Sequence, residues 1–136
     1  MNETGREKIK SHKELRVWQN SMDAAMEIFE LTTRFPVEER FGLADQVRRS
    51  SRSVSANISE AWRKRRYKAA FIAKLSDAEG ESCETQTWIE MALRCKYIDP
   101  READALDERY EHIISQIVTM INQSDKWTIP NDRGNR

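Results

Sequence analysis

The chain has 136 residues, which is enough for one domain and hardly enough for two. Apolar residues make up 38% and charged residues 34%, and 23 basic residues balance 23 acidic ones, so no overall field marks a nucleic-acid binder. Only 4 glycines and 3 prolines occur, which disfavours an all-β fold with many turns and favours long helices.

The first helical pattern follows a polar arm at 1–12. Apolar residues then recur every three or four positions, and this stripe ends where Phe35 precedes Pro36, which predicts helix one at 13–34. A second stripe predicts helix two at 41–64. Its many serines would also suit a linker, but the apolar spacing continues through them, and small side chains let a neighbouring helix approach closely.

The most regular stripe predicts helix three at 67–97, with Gly80 in its middle at a cost of up to about 1 kcal/mol relative to alanine. Asp99 then suits an N-cap and Pro100 a first helical position, which predicts helix four at 100–124. We expect an extended tail at 125–136, ordered only where Trp127 finds a surface. Four helices with short connections predict an all-α, antiparallel up-down four-helix bundle over 13–124.

The order of residues along helix two is the most distinctive motif in the chain. It reads Phe41-Gly-Leu-Ala-Asp-Gln-Val-Arg-Arg-Ser50 and then Ser53-Val-Ser-Ala-Asn-Ile-Ser-Glu60. Supporting motifs are Leu15-Arg-Val-Trp18, Phe35-Pro36, Lys74-Leu75, Glu84-Thr85, Trp88-Ile89 and Tyr97-Ile98. Over about 13–120, these segments make the chain resemble a bacterial family of four-helix-bundle proteins, also called 23S rRNA intervening-sequence proteins.

This resemblance implies a small all-α bundle that assembles as a ring-like homo-oligomer, with a homopentamer as the favoured form. A similar bundle is the accessory protein of diversity-generating retroelements, which partners a reverse transcriptase and binds nucleic acid. The family brings no enzymatic activity and no cofactor. Two departures concern the corner between helices two and three: Ala61 stands where the family usually has glycine, and Arg66 and Tyr67 replace a Ser or Thr cap. We therefore expect this corner to be built differently.

Positive charge is concentrated around the same corner. Residues 46–69 contain eight basic residues and one acidic residue, which leaves a net charge of +7 there and −7 elsewhere. Arginines beside aromatic residues suit phosphate contact combined with base stacking. The alternative is a solvated corner with salt bridges between subunits. The candidate nucleic-acid-binding residues are Arg48, Arg52, Arg63, Lys64, Arg65, Arg66, Lys68, Trp62 and Tyr67.

A polar stripe also runs along helix two, where Gln46, Ser53, Asn57 and Glu60 are spaced to lie near one face. Buried amides and carboxylates need partners, so we favour a buried hydrogen-bonded network that fixes helix register over a catalytic or ligand site. Arg49 or Lys74 would lie near Glu60, and Glu84 with Thr85 would form a polar core pair. The predicted network comprises Gln46, Arg49, Ser53, Asn57, Glu60, Lys74 and Glu84.

Motifs for catalysis or metal binding are weak. A di-iron bundle needs Glu-x-x-His pairs on two helices, whereas Arg109 precedes His112 by three residues, so we expect no metal, no cofactor and no enzymatic activity. Cys83 and Cys95 cannot pair within one helix, and we expect them to be small buried hydrophobes in a reducing cytoplasm. No apolar run is long enough to span a membrane, and the polar N-terminus is unlike a secretory signal.

These patterns favour a non-enzymatic nucleic-acid-binding accessory protein that displays its basic corner on a homo-oligomer. The alternative is a protein-interaction or scaffold module that binds no nucleic acid. Expected partners are further copies of the chain, RNA or DNA, and a reverse transcriptase or another protein, with no membrane. Trp18, Trp62 and Trp88, together with Phe29, Phe41 and Phe71, supply more bulk than four thin helices need inside, so we expect some of them to face a second subunit.

Overall fold

The structure is a computed structural model, and it describes residues 9–129. Within that range the chain forms helices and no strand, which confirms the all-α class and the four long helices. Two single 3-10 turns precede α1 and α2, at His12–Glu14 and Val37–Glu39. The helices are α1 (Arg16–Thr32), α2 (Leu43–Arg63), α3 (Lys68–Arg94), α4 (Pro100–Asn122) and the short α5 (Ser124–Trp127).

The start of α4 follows the prediction closely. Asp99 is the N-cap and Pro100 the first helical residue. The Asp99 carboxylate accepts a hydrogen bond from the Glu102 amide at 2.8 Å, and the Glu102 carboxylate accepts one from the Asp99 amide at 3.1 Å. This reciprocal capping box satisfies two amides that the helix itself leaves without partners. The sequence analysis identified the cap and the proline but not the role of Glu102.

The four long helices form a bundle around one core. α2 packs against α1 and α3, and α4 packs against the same two helices. The largest fully buried side chains come from all four helices, so each contributes one apolar stripe to the interior. They include Ile28 on α1, Ile58 on α2, Phe71 and Leu75 on α3, and Tyr110 on α4.

The serines of α2 lie in the core rather than in a linker. Ser50 and Thr85 share a hydrogen bond of 2.8 Å between α2 and α3, and Ser55 and Ser21 share one of 2.8 Å between α2 and α1. All four residues are buried. Each of these buried hydroxyl groups therefore has a hydrogen-bond partner on a neighbouring helix. The helical interpretation of this segment is confirmed.

The loop between α1 and α2 is tied to the end of α3. The Glu39 carboxylate accepts hydrogen bonds from the Leu43 amide at 2.9 Å and from the Tyr97 hydroxyl at 2.8 Å. These bonds lower the pKa of Glu39, the Leu43 amide contributing most. The ring of Phe35 lies 5.3 Å from that of Tyr97. The loop is thus held by both polar and aromatic contacts.

The chain ends and the cysteines differ from the sequence-based expectations where the structure describes them. Most of the predicted polar arm and tail, residues 1–8 and 130–136, lies outside the described residues. The expectation of an extended tail is wrong for its first part, where α5 forms and Trp127 packs half-buried against the core. The expectation of buried cysteines is also wrong, because Cys83 and Cys95 both lie on exposed positions. None of the described helices has the length and hydropathy needed to cross a bilayer.

Candidate nucleic-acid interface

The basic corner comprises residues 62–68 and includes the tight connection between α2 and α3 at residues 64–67. The Lys64 amide donates to the Glu60 carbonyl at 3.1 Å, and the Tyr67 amide donates to the Lys64 carbonyl at 2.9 Å. Tyr67 is the N-cap of α3 without any side-chain capping bond. Ala61, the residue found in place of the family's glycine, is 1% exposed and its methyl group joins the core. The corner is therefore stabilised by backbone bonds and core packing.

Trp62 and Arg65 turn inward at this corner. Trp62 is only 5% exposed, and the Arg65 guanidinium covers it at 3.4 Å from the ring centroid. The Arg65 Nε also donates to the Trp62 carbonyl at 2.8 Å, and the Arg65 carbonyl accepts from the Ile129 amide at 2.9 Å. The expectation that Trp62 stacks on a base is therefore wrong, since its face is already occupied. Arg65 is likewise held by contacts within the chain, with Trp62 and with the Ile129 amide.

Arg63, Lys64 and Arg66 turn outward instead. All three are exposed, and none forms an ion pair within 9–129. Burial, and then the positive charge of Arg63, lowers the pKa of the neighbouring Arg65. Tyr67 lies beside them and is 55% exposed. The free part of the corner thus consists of three cations and one accessible aromatic ring, a combination able to contact phosphates and stack a base.

Lys68 belongs to the corner but has a carboxylate partner. Its Nζ lies 2.5 Å from Asp125 Oδ1, which α5 brings alongside the start of α3. Both side chains are largely exposed, so the pair is a solvent-screened surface contact. Nothing in the sequence around Lys68 indicates Asp125, because the two meet only through the packing of α5 on α3.

Arg48 and Arg52 lie away from the corner. At about 1.5 Å per residue, they are roughly 22 and 16 Å before Arg63 along α2. Arg48 donates through Nε to Thr32 Oγ1 at 2.6 Å, and its guanidinium lies 4.9 Å from the ring centroid of Phe29. Arg48 therefore faces α1 at the opposite end of α2. Arg52 is exposed without an ion pair in the described part of the chain.

The predicted polar network is present as separate surface pairs. Lys74 Nζ lies 2.8 Å from Glu60 Oε1, which lowers the pKa of Glu60 and raises the pKa of Lys74. Arg49 pairs with Glu84, which also accepts from Trp88 Nε1 at 3.1 Å.

The prediction that this network is buried is wrong. Gln46, Arg49 and Glu60 are exposed in the single chain, because their stripe faces away from the core. Asn57 donates only to Ser53 in the preceding turn, at 2.9 Å to the carbonyl and 3.1 Å to the hydroxyl. The expected pairing of Glu84 with Thr85 is also absent, since Thr85 Oγ1 contacts Ser50 and donates to the Glu81 carbonyl at 2.8 Å.

The comparisons with known proteins agree with this architecture. The sequence profile of the 23S rRNA-intervening sequence protein family matches residues 13–119, which include the four helices almost in full. The chain belongs to that family. A crystal structure from Bacteroides thetaiotaomicron, described as a protein with unknown function from the S23 ribosomal protein family, is similar at 29% identity and a TM-score of 0.71. The similarity covers 77% of this chain and 97% of that one. No curated protein gives a significant match.

Family membership does not by itself assign chemistry to the corner. In the described part of the chain, no three His, Cys, Asp or Glu side chains are grouped so as to hold a metal ion. The exposed cations at 63, 64 and 66 form no ion pair in this range, so they are the distinctive charged feature of this end of the bundle.

Proposed function

We propose that this family member is a non-enzymatic accessory protein that binds single-stranded or looped RNA through the corner between α2 and α3. The single observation that carries the proposal is the exposure of Arg63, Lys64 and Arg66, none of which forms an ion pair among the described residues, beside an accessible Tyr67. Arginine and lysine bind phosphate oxygens, and a ring at their edge accepts an unstacked base. Bases within a regular duplex cannot reach such a ring.

The same proposal includes an antiparallel order of helices and a homo-oligomer, with a pentamer favoured by the family resemblance. Trp18, near the start of α1, donates to Ser59, near the end of α2, at 3.0 Å. Arg48, near the start of α2, donates to Thr32, the last residue of α1. These contacts support opposite directions for α1 and α2. Assembly would bring several corners together and enlarge the positive surface beyond three side chains.

The test is fluorescence anisotropy with labelled single-stranded RNA at low salt. The variant R63Q/K64Q/R66Q keeps long polar side chains with good helix propensity and removes only charge. We expect it to lose at least about tenfold in affinity, or ~1.4 kcal/mol of binding free energy. The matched control K13Q/K96Q/R101Q removes the same charge from exposed positions elsewhere and should change affinity by less than about twofold.

Two outcomes would contradict the proposal. The first is a wild-type protein that binds no RNA even at about 50 mM salt, where phosphate contacts are strongest. The second is equal affinity of the corner variant and the control variant. Either result would favour a scaffold that docks another protein. A protein partner, such as a reverse transcriptase, would then be tested for direct binding to the purified protein in place of RNA.

A further inference from the structure

A cavity lies between the start of α1 and the end of α4. Its volume of about 650 Å³ falls within the range of roughly 300–1,000 Å³ that small-molecule sites occupy. Leu15, Val17 and Met120 line it, and all three side chains are buried, so the floor is apolar. The half-buried indole of Trp127 also lines the cavity. This lining suits a flat ring that can lie against an aromatic side chain.

Polar side chains of α4 border the apolar floor on one side. Ser115, Gln116, Thr119 and Gln123 all line the cavity and are spaced to share one face of that helix. Gln116 Oε1 accepts a hydrogen bond from Asn20 Nδ2 at 2.9 Å, whereas the Gln123 carboxamide has no side-chain hydrogen bond within 9–129. A carboxamide both donates and accepts, which matches N7 and the amino group of adenine.

The cavity lies at the same end of the bundle as the basic corner. Trp18, near the start of α1, donates to Ser59, near the end of α2, at 3.0 Å. On the other side, the Ile129 amide donates to the Arg65 carbonyl at 2.9 Å, and Trp127 stands only two residues before Ile129. The Cα atoms of Trp127 and Ile129 are therefore at most ~7.6 Å apart. One nucleic-acid strand can thus reach both the corner and the cavity.

Basic side chains outnumber acidic ones around the cavity. The acidic ones are Glu14, whose carboxylate accepts from the Lys10 amide at 3.1 Å, and Asp125, which pairs with Lys68. Arg16 lines the cavity and forms no ion pair in the part of the chain that the structure describes. The excess of positive charge suits a ligand that carries phosphates. The basic residues within two positions of a lining residue are Lys10, Lys13, Arg16 and Lys126.

We propose that this cavity binds one unstacked adenine base of an RNA strand whose phosphates contact Arg63, Lys64 and Arg66. The base lies against the Trp127 indole and the apolar floor, and the Gln123 carboxamide pairs with its polar edge. An acyl chain of similar size would leave the polar side of the cavity without partners. This inference rests on the RNA binding of the proposed function. It adds a base preference, which contacts to phosphates cannot supply.

Filling the cavity from its exposed rim tests the site. Thr119→Phe places a ring in the cavity, and the matched control Thr87→Phe makes the same change at an exposed position of α3 that does not line it. Fluorescence anisotropy compares single-stranded oligoadenylate with an abasic strand that has the same number of phosphates. T119F should lower affinity for oligoadenylate by at least about fivefold, the lower bound for one stacked base, and affinity for the abasic strand by less than about twofold.

The control variant and the fold are checked in the same series. T87F should change both affinities by less than about twofold, and far-UV circular dichroism should be the same for wild type, T119F and T87F. Tyr67 is intact in all three proteins, so stacking on its exposed ring does not affect the comparison.

Two further measurements address the chemistry of the ligand. Wild-type protein should prefer oligoadenylate to oligouridylate by at least about fivefold, and Gln123→Ala should remove that preference. Adenosine carries no phosphate, so at millimolar concentration it should quench tryptophan fluorescence equally in the wild type and in R63Q/K64Q/R66Q. It should not quench T119F, whose cavity is filled.

The outcomes separate this inference from the proposed function. Equal affinity of the wild type for oligoadenylate and oligouridylate, equal effects of T119F and T87F, or no quenching by adenosine would each overturn the base site. RNA binding that persists through those results would leave the corner as the RNA site. Quenching by adenosine in a wild-type protein that binds no RNA would instead keep the base site and refute the corner.

Discussion

The Arg65 guanidinium lies over the Trp62 ring, 3.4 Å from its centroid, while its neighbours Lys64 and Arg66 are exposed. One run of four basic residues therefore serves two purposes. Arg65 covers one buried aromatic ring of the core. Arg63, Lys64 and Arg66 remain available to an external ligand. This division suggests that changes within the same run will have separable effects on stability and on binding.

The first prediction concerns that division. Trp62→Ala should lower the free energy of unfolding by ~3–5 kcal/mol, because it removes a large buried ring. Arg65→Gln should lower it by about 1 kcal/mol through loss of the cation–π contact. Arg63→Gln, at an exposed position, should change it by less than about 0.5 kcal/mol. Urea denaturation measures all three. Equal losses for Arg65→Gln and Arg63→Gln would show that the Arg65 contact does not stabilise the protein.

The second prediction concerns base stacking by Tyr67, which is 55% exposed. Tyr67→Ala should weaken binding of single-stranded RNA by ~1–3 kcal/mol, the usual contribution of one stacked base. Binding of duplex RNA should change little, because its bases stay stacked on each other. Tyr67→Phe keeps the ring and serves as the control. Equal weakening for both RNA forms would argue that Tyr67 acts through the backbone of the corner and not by stacking.

Much of the fold was predictable because it depends on local spacing. The stripes of α1 to α4 and the Asp99-Pro100 start signal are properties of residues close together in the chain. Whether the Trp62 ring is buried or exposed was not predictable in this way. An aromatic residue beside arginines has the same local pattern whether it is covered or free, and only the packing of α2 against its neighbours decides. The pairing of Lys68 with Asp125 was missed for the same reason.

The third prediction compares two glycines. A Cβ added at Gly80 would meet nothing within 4 Å, so Gly80→Ala should raise the free energy of unfolding by ~0.5–1 kcal/mol. A Cβ added at Gly42 would lie 2.7 Å from Glu39 Oε1, the oxygen that accepts from the Leu43 amide. Gly42→Ala should therefore lower stability by about 1 kcal/mol, as expected for one disturbed hydrogen bond. Thermal unfolding of both variants checks the contrast, and a shift in the same direction for both would refute it.

The fourth prediction concerns the pH dependence of the loop between α1 and α2. The hydrogen bond to Glu39 raises the pKa of Tyr97 to about 12 from its usual 10.0. Because the pKa of Tyr97 is raised in the folded protein, the contribution of this hydrogen bond to the free energy of unfolding is fully present below pH 10. It is lost as the pH rises towards 12. Absorbance titration of the phenolate should show this transition moving to lower pH in Glu39→Gln. Tyr97→Phe removes the transition and identifies it, and an unchanged midpoint in Glu39→Gln would show that Glu39 does not cause the shift.

The last prediction links RNA binding to assembly. Each neutralised phosphate contributes about 0.7 to the slope of log K against log salt for single strands, so three cations of one subunit can give a slope of about 2. If neighbouring corners act together, the wild-type slope should exceed that value. R63Q/K64Q/R66Q should show almost no slope. Anisotropy titrations between about 50 and 200 mM salt measure both proteins, and a wild-type slope of about 2 would mean that each corner binds independently of its neighbours.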